Sequence, residues 1–541
     1  MSVDGGALRA RLCRLVCVPV RDHDGSDADA LVEERERFPW GGYIVFGGDP
    51  GAVPELLMRL RDASAERLLL ASDLERGLGQ QLRGATTFPP PMSLGAAGNP
   101  DLCYRVGRAT AAEATAAGLN CVFAPVLDLA NEPANPIVCT RAFGDDPEAV
   151  GRLGAALIEG LQDGGVLATA KHFPGHGRTR LDSHSTLPVV RDPAADLLSA
   201  DVEPFRHAVR VGVALVMSAH VAYPTLADGG ASDRDFGGGC DGTPATLSRA
   251  VLTRLLRDEL GFRGAVVSDA LMMGALAGED PAGLAARALE AGIDCLLYPP
   301  EPRSLVDALV RRIEGGGLSL SVVERAERNR AAALARLEPR PGSEGSDGRR
   351  GSGRVGAAER LDCAGGADLA LEAARAGLVR LGSARAAAWP DAGRSLMLLL
   401  LDGGIERGDV VLPQVAAAPG REFRWLEPAA GPVRLPDDLA EFESVYLAYF
   451  SPVRAWKGRS GFSREAAAVG AALFATRPDA ALLSFSSPFI VADVPGAREA
   501  ILAFGEAAAC QIAVGEVLAG RRTPAGHLPV RLGPQPGVRS A

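Results

Sequence analysis

Short apolar runs alternate with longer amphipathic stretches through the first 300 residues of this 541-residue chain. The runs are Leu12–Val20, Tyr43–Phe46, Leu68–Ala71, Cys121–Leu127, Val166–Ala170, Ala214–Ser218, Ala265–Ser268 and Ile293–Tyr298, eight in all. Between them, Leu102–Ala117, Ala149–Gln162, Leu198–Val211 and Ser248–Leu260 read as amphipathic helices. Strands alternating with helices make a parallel sheet. Eight such units, with no Gly-x-Gly-x-x-Gly fingerprint after the first run, predict a closed (β/α)8 TIM-type barrel rather than an open doubly wound sheet. A helix near Ser321–Leu337 ends the barrel, which takes residues 1–337. The stretch 338–360 is so rich in Gly, Ser, Pro and charge that it cannot pack a core, and it reads as a linker. Beyond it, apolar runs at Leu396–Leu401, Val445–Phe450, Ala481–Phe485 and Ala500–Phe504 alternate with helical stretches at Ala367–Leu381, Arg464–Thr476 and Ala507–Leu518, which predicts a smaller α/β sandwich domain over 361–541.

Composition narrows the ligand. Lys plus Arg number 57 against 67 Asp plus Glu, a net charge of −10 that argues against a nucleic-acid or anionic-membrane partner and for a small molecule. No apolar run reaches the roughly 18 residues of a membrane span. The 9 cysteines are scattered and form no C-x-x-C pair. Arg14 interrupts the apolar patch Leu12–Val20, so it does not read as a secretory signal, and a cytoplasmic location is expected.

Chemistry concentrates between Lys171 and Pro188, where His172, His176 and His184, three of the 7 histidines, lie with Asp182 among Pro174, Gly175 and Gly177. Such a segment is a loop leaving a strand, where polar side chains converge without a core to fill. Polar residues recur at the ends of the other runs: Asp73 and Glu75 after the third, Asp128 after the fourth, His220 after the sixth, Asp269 after the seventh. Any one alone reads as a helix cap or a surface charge; their recurrence at the end where barrel enzymes carry their catalytic groups points to one site. His172 and His176 have the spacing of a helical zinc pair, but Pro174 and Gly175 preclude that helix, so neither metal nor other cofactor is expected.

The stretches Lys171-His-Phe-Pro-Gly-His-Gly, Asp182-Ser-His184, Val267-Ser-Asp-Ala-Leu-Met-Met273, Ser72-Asp-Leu-Glu-Arg-Gly77, Phe123-Ala-Pro-Val-Leu-Asp128 and Arg141-Ala-Phe-Gly144 resemble the signatures of glycoside hydrolase family 3, nearest its β-N-acetylglucosaminidase branch. Ala513–Gly520 and Pro524–Pro529 resemble, more softly, that family's C-terminal sandwich. The resemblance implies removal of terminal β-linked N-acetylglucosamine from cell-wall-derived saccharides by double displacement. It implies Asp269 as nucleophile, His184 as acid/base, Asp182 orienting His184, and Asp73, Arg141, Lys171 and His172 as sugar contacts. An imidazole suits both halves of the reaction because it ordinarily titrates near pH 6.5. One departure stands out: relatives commonly carry Arg where this chain has Leu78 and Gln81, so a cationic sugar contact is either missing here or supplied by Arg76 or Arg83. Two other readings compete: a glycoside phosphorylase, since an imidazole repels incoming phosphate less than a carboxylate does, and a non-catalytic sugar-binding protein.

Overall fold

A computed structural model of the chain describes residues 5–227, 242–276, 280–337, 365–382, 393–427, 434–453, 461–494 and 496–532. Eight parallel strands follow in chain order: β1 (Val16–Arg21), β2 (Gly42–Phe46), β3 (Leu69–Ser72), β4 (Cys121–Val122), β5 (Leu167–Phe173), β6 (Leu215–Ser218), β7 (Ala265–Val267) and β8 (Leu296–Leu297). Neighbours pair in sequence, β8 returns to β1, and a parallel bridge between Val267 and Cys295 closes the ring. Period-two alternation sends Cys17, Ile44, Leu69, Ala71, Leu167 and Met217 into one interior cluster, so the barrel is a packed core. Phe46 and Tyr298, at the C-terminal ends of β2 and β8, pack against that cluster.

Some boundaries moved for local reasons. The first apolar run divides into a helix, Gly5–Cys13, that buries Leu8 and Leu12 one turn apart, and a strand that begins only at Val16. The stretch expected at 198–211 becomes two helices, Ala194–Ser199 and Glu203–Arg210, the second with a proline in its first turn, where a missing N–H costs nothing.

The chain divides into two compact units: residues 1–86, 103–128 and 154–366 form one, and 87–102, 129–153 and 367–541 the other. In the second, β9 (Val379–Leu381), β10 (Ser395–Leu401), β11 (Arg421–Leu426), β12 (Ser444–Phe450), β13 (Ala481–Phe485) and β14 (Glu499–Leu502) form a sheet in the order β11-β10-β12-β13-β14-β9, parallel except for β9. One face of this sheet, with Leu396, Leu398 and Leu400, packs with Met92, Ala96 and Val138 from the early segments. The other face packs against the helix Ala508–Leu518. The expected linker, 338–360, lies outside the described residues. Among the described residues no helix is long and apolar enough to cross a membrane.

Candidate active site

Strand alternation explains how β5 feeds the mouth of the barrel. Leu167, Thr169 and Lys171 share one face, so the chain that fills the interior with Leu167 ends by pushing an ammonium group into it. Lys171 is 2% exposed, and its Nζ lies 2.6 Å from Asp73 Oδ1 and 2.7 Å from Glu75 Oε1. A lysine so buried requires partners, and the loop after β3 provides two. Asp73 is held in turn by Gln81, which donates Nε2 to the Asp73 carbonyl at 2.9 Å and accepts from Gly47 N at 3.0 Å.

The β5–β6 register shifts between Ala170 and Phe173, a bulge that re-aims the side chains at the strand end. His172 Nδ1 sits 2.7 Å from Asp128 Oδ2, and Asp128 Oδ1 accepts from the backbone N–H of His172 at 3.1 Å and of His176 at 2.7 Å. Burial pushes the Asp128 carboxyl up, but His172 and His176 together with the His176 N–H outweigh it and the net shift is downward. An ionised Asp128 fixes Nδ1 as the protonated nitrogen of His172. His176 has its Nδ1 2.9 Å from Thr179 Oγ1 and its Nε2 3.0 Å from Ser183 Oγ, and burial lowers its pKa to about 4. It braces the loop as a neutral ring.

Farther along that loop, His184 Nδ1 lies 2.7 Å from Asp182 Oδ1, which also accepts His184 N–H at 2.9 Å. The carboxylate is 6% exposed and the imidazole 23% exposed, so Nδ1 is engaged while part of the ring reaches the surface. The loop docks on the turn that follows Asp269: Gly274 N–H donates to the His184 carbonyl at 2.9 Å and Ala275 N–H to that of Ser183 at 3.1 Å.

Asp269 comes two residues after β7, and its Oδ1 accepts Ala270 N–H at 2.8 Å. Burial opposes ionisation, yet the imidazoles of His220 and His172, the Ala270 N–H and then His184 hold the carboxyl at about 2. His220, fully buried two residues after β6, donates Nε2–H to the Ala270 carbonyl at 3.1 Å and so steadies Ala270, whose N–H Asp269 accepts. Burial lowers the pKa of His220 despite the nearby carboxylate.

Asp73, Lys171, His172, Asp182, His184 and Asp269 thus belong to one unit, Lys171 and His172 in the last residues of β5 and the others on loops that follow strands. Arg141 lies in the other unit, in the turn Cys139–Arg141, with Nη1 donating to the Ile137 carbonyl at 3.0 Å. Sequence reasoning noted Glu75, Asp128 and His220 at strand ends without giving them partners. It missed Thr246, 2.8 Å from His220 Nδ1, and Gly274, neither of which carries a signal in its neighbours.

A closed parallel barrel with carboxylates, imidazoles and an ammonium gathered at its strand ends has the layout of a barrel enzyme. Comparison with known proteins makes the class specific. The Glycosyl hydrolase family 3 N terminal domain matches residues 40–331. A beta-hexosaminidase of Thiobacillus denitrificans is 39% identical over 289 residues, covering 51% of this chain and 75% of that protein. Among solved structures, a glycoside hydrolase family 3 beta-N-acetylglucosaminidase from Paenibacillus sp. str. FPU-7 superposes with a TM-score of 0.80 at 28% identity, covering 97% of this chain and 99% of that one. The beta-glucoside phosphorylase BglX shares the fold with a TM-score of 0.83 at 22% identity, over 98% and 94% of the two chains. The chain belongs to glycosyl hydrolase family 3 and is a glycoside hydrolase.

Proposed function

We propose that this enzyme removes terminal β-linked N-acetylglucosamine by double displacement, with Asp269 as nucleophile and His184 as acid/base. In the first half-reaction an Asp269 oxygen bonds to the anomeric carbon as the glycosidic bond breaks, and His184 Nε2–H protonates the departing oxygen. In the second, His184 Nε2 takes a proton from water, whose oxygen bonds to the anomeric carbon and releases Asp269, so configuration is retained. Asp182 on Nδ1 leaves Nε2 as the nitrogen that exchanges protons. Asp73, Lys171 and His172 are proposed to hold the sugar hydroxyls and acetamido group through charge-assisted hydrogen bonds.

The observation that carries this reading is the pair of backbone hydrogen bonds joining residues 183–184 to 274–275, since it ties the imidazole's loop to the nucleophile's own turn. The choice of N-acetylglucosamine rests on the relatives' names. Aryl β-glycosides differing at the 2-position test it: the 2-acetamido substrate should be cleaved at least about tenfold faster than the 2-hydroxy one. Asp269→Asn should lower kcat on the order of 10³-fold or more; undiminished turnover would refute the nucleophile. A cytoplasmic role in trimming recovered cell-wall fragments is part of the same proposal, and cell fractionation with assay on muropeptide saccharides checks it. Phosphorolysis is the second reading, favoured by an imidazole at the acid/base post; sugar 1-phosphate accumulating in phosphate buffer would establish it.

A further inference from the structure

The sector of the barrel mouth formed by β8, β1 and β2 carries a cation for which the reaction above has no use. Arg21 ends β1, Phe46 ends β2 in register with it, and Tyr298 follows β8. The guanidinium carbon of Arg21 lies 5.2 Å from the Phe46 ring centre and 5.0 Å from that of Tyr298, and Nε donates to the Tyr298 hydroxyl at 2.7 Å. Because both rings pack on the barrel's interior cluster, this shelf is part of the mouth and not of the outer surface. A guanidinium held against two aromatic faces keeps its charge while losing rotamer freedom.

Arg21 is exposed and, among the described residues, has no carboxylate partner, whereas Lys171 on β5 has two. Its Nη groups make no hydrogen bond among the described residues. The positions where the family resemblance leads one to expect arginine do not supply a cation here: Leu78 is fully buried, and Gln81 is engaged with Gly47 and Asp73. The unpaired positive charge of this sector therefore comes from β1.

We infer that Arg21 is an oxyanion-binding site at the edge of the saccharide pocket, an inference that rests on the glycosidase reading. Two parallel N–H donors on a rigid plane match a carboxylate or a phosphate. The anion has two possible sources: an acidic group on the sugar beyond the scissile bond, or free phosphate. As an acceptor in place of water, phosphate bonds through one oxygen to the anomeric carbon as the ester to Asp269 breaks, giving sugar 1-phosphate and the free carboxylate.

Arg21→Met and Arg21→Lys in the full chain separate the sources. N-acetylglucosamine β-1,4-linked to N-acetylmuramic acid differs from N,N′-diacetylchitobiose by one lactyl carboxylate. If the anion belongs to the substrate, Arg21→Met loses about tenfold in kcat/KM on the acidic disaccharide, through KM, with the neutral one within about twofold and Arg21→Lys recovering part of the loss. Tenfold corresponds to about 1.4 kcal/mol, the scale of one exposed charge-assisted hydrogen bond. If the anion is phosphate, Arg21→Met abolishes saturable sugar 1-phosphate formation and leaves the disaccharide ratio unchanged. Equal losses on both disaccharides, or no change in either assay, overturn the proposal. Calorimetric titration with N-acetylmuramic acid and with inorganic phosphate reads the site without turnover. A wild type that binds either through Arg21 but cleaves neither disaccharide would refute the glycosidase reading and leave the anion site standing.

Discussion

His176 offers a test at the level of one side chain, because its ring is buried and its pKa is lowered from 6.5 to about 4. Above pH 6.5 the ring is neutral whether the chain is folded or not, and its contribution to stability is complete. As pH falls toward 4 the unfolded chain gains a proton that the folded one refuses, so stability declines, by about 3 kcal/mol if this ring acts alone. Urea midpoints measured from pH 7 to pH 4 should fall more steeply for the wild type than for His176→Asn; equal slopes would show that the ring is not what senses acid. Asp269 behaves differently, since its carboxyl is held at about 2 and loss of its charge begins only in strong acid. The decline of kcat/KM between pH 6 and pH 4 should therefore not report the nucleophile.

Asp182→Asn should leave substrate affinity within about threefold while lowering kcat by 10²-fold or so, with the pH profile displaced, because the imidazole loses the carboxylate that fixes its tautomer. An unchanged pH profile would reduce Asp182 to a loop residue. At this scale the sequence was informative wherever a residue's own neighbours determined its place in the fold. Asp182 and His184 sit two apart and Asp269 closes an apolar strand, so both were legible. The three hydrogen bonds accepted by Asp128 come from residues 44 and 48 positions away, and no local pattern records them.

Among elements, the informative contact is between the loop after β5 and the turn after β7. A methyl group at Gly274 would come 2.6 Å from the His184 carbonyl and 2.8 Å from that of Ser185, both backbone atoms that cannot yield without moving the loop. Gly274→Ala should lower kcat by 10- to 100-fold on a substrate whose leaving group needs protonation and spare an aryl glycoside with an acidic phenol. Equal losses on both would mean that the turn serves Asp269 or the fold at large instead.

The barrel strands were readable because all eight are buried on both faces and stand out as apolar runs. Extent was harder to read. Cys121–Leu127 is apolar throughout, but only Cys121–Val122 forms regular ladder, and the run continues as single contacts such as Leu127 N–H to the Lys171 carbonyl. β11 escaped notice because Arg421-Glu-Phe-Arg-Trp-Leu426 mixes charge with aromatics, as suits an edge strand. β9 lay within a stretch expected to be helical, which in fact stops at Gly377.

Over the whole molecule, the second unit is assembled from distant parts of the chain. Met92, Ala96, Ile137 and Val138 are each at most 3% exposed within a cluster whose members beyond residue 142 run from Val379 to Val530. A chain ending at residue 337 would leave those four without their partners. At roughly 25 cal/mol per Å² of apolar surface, uncovering several such side chains costs several kcal/mol, a large share of a domain's usual margin. That truncated chain should be insoluble or unfold many degrees below the full-length protein by calorimetry; a soluble product with unchanged melting would show that the early segments find other cover. Periodicity revealed the sheet's central strands but not this sharing, because the sharing depends on pairs of segments more than 200 residues apart.

The order of synthesis gives that sharing a further meaning. When the ribosome has completed the last barrel strand, the residues that will cover Met92 and Val138 have not yet been made, so the nascent protein carries an unfinished apolar seam for as long as translation takes to reach Val530. Ribosome pausing, or a nonsense codon in the final third of the gene, would lengthen or perpetuate that exposure and make the product a client of chaperones and proteases, even with every proposed catalytic carboxylate and imidazole already joined to the chain.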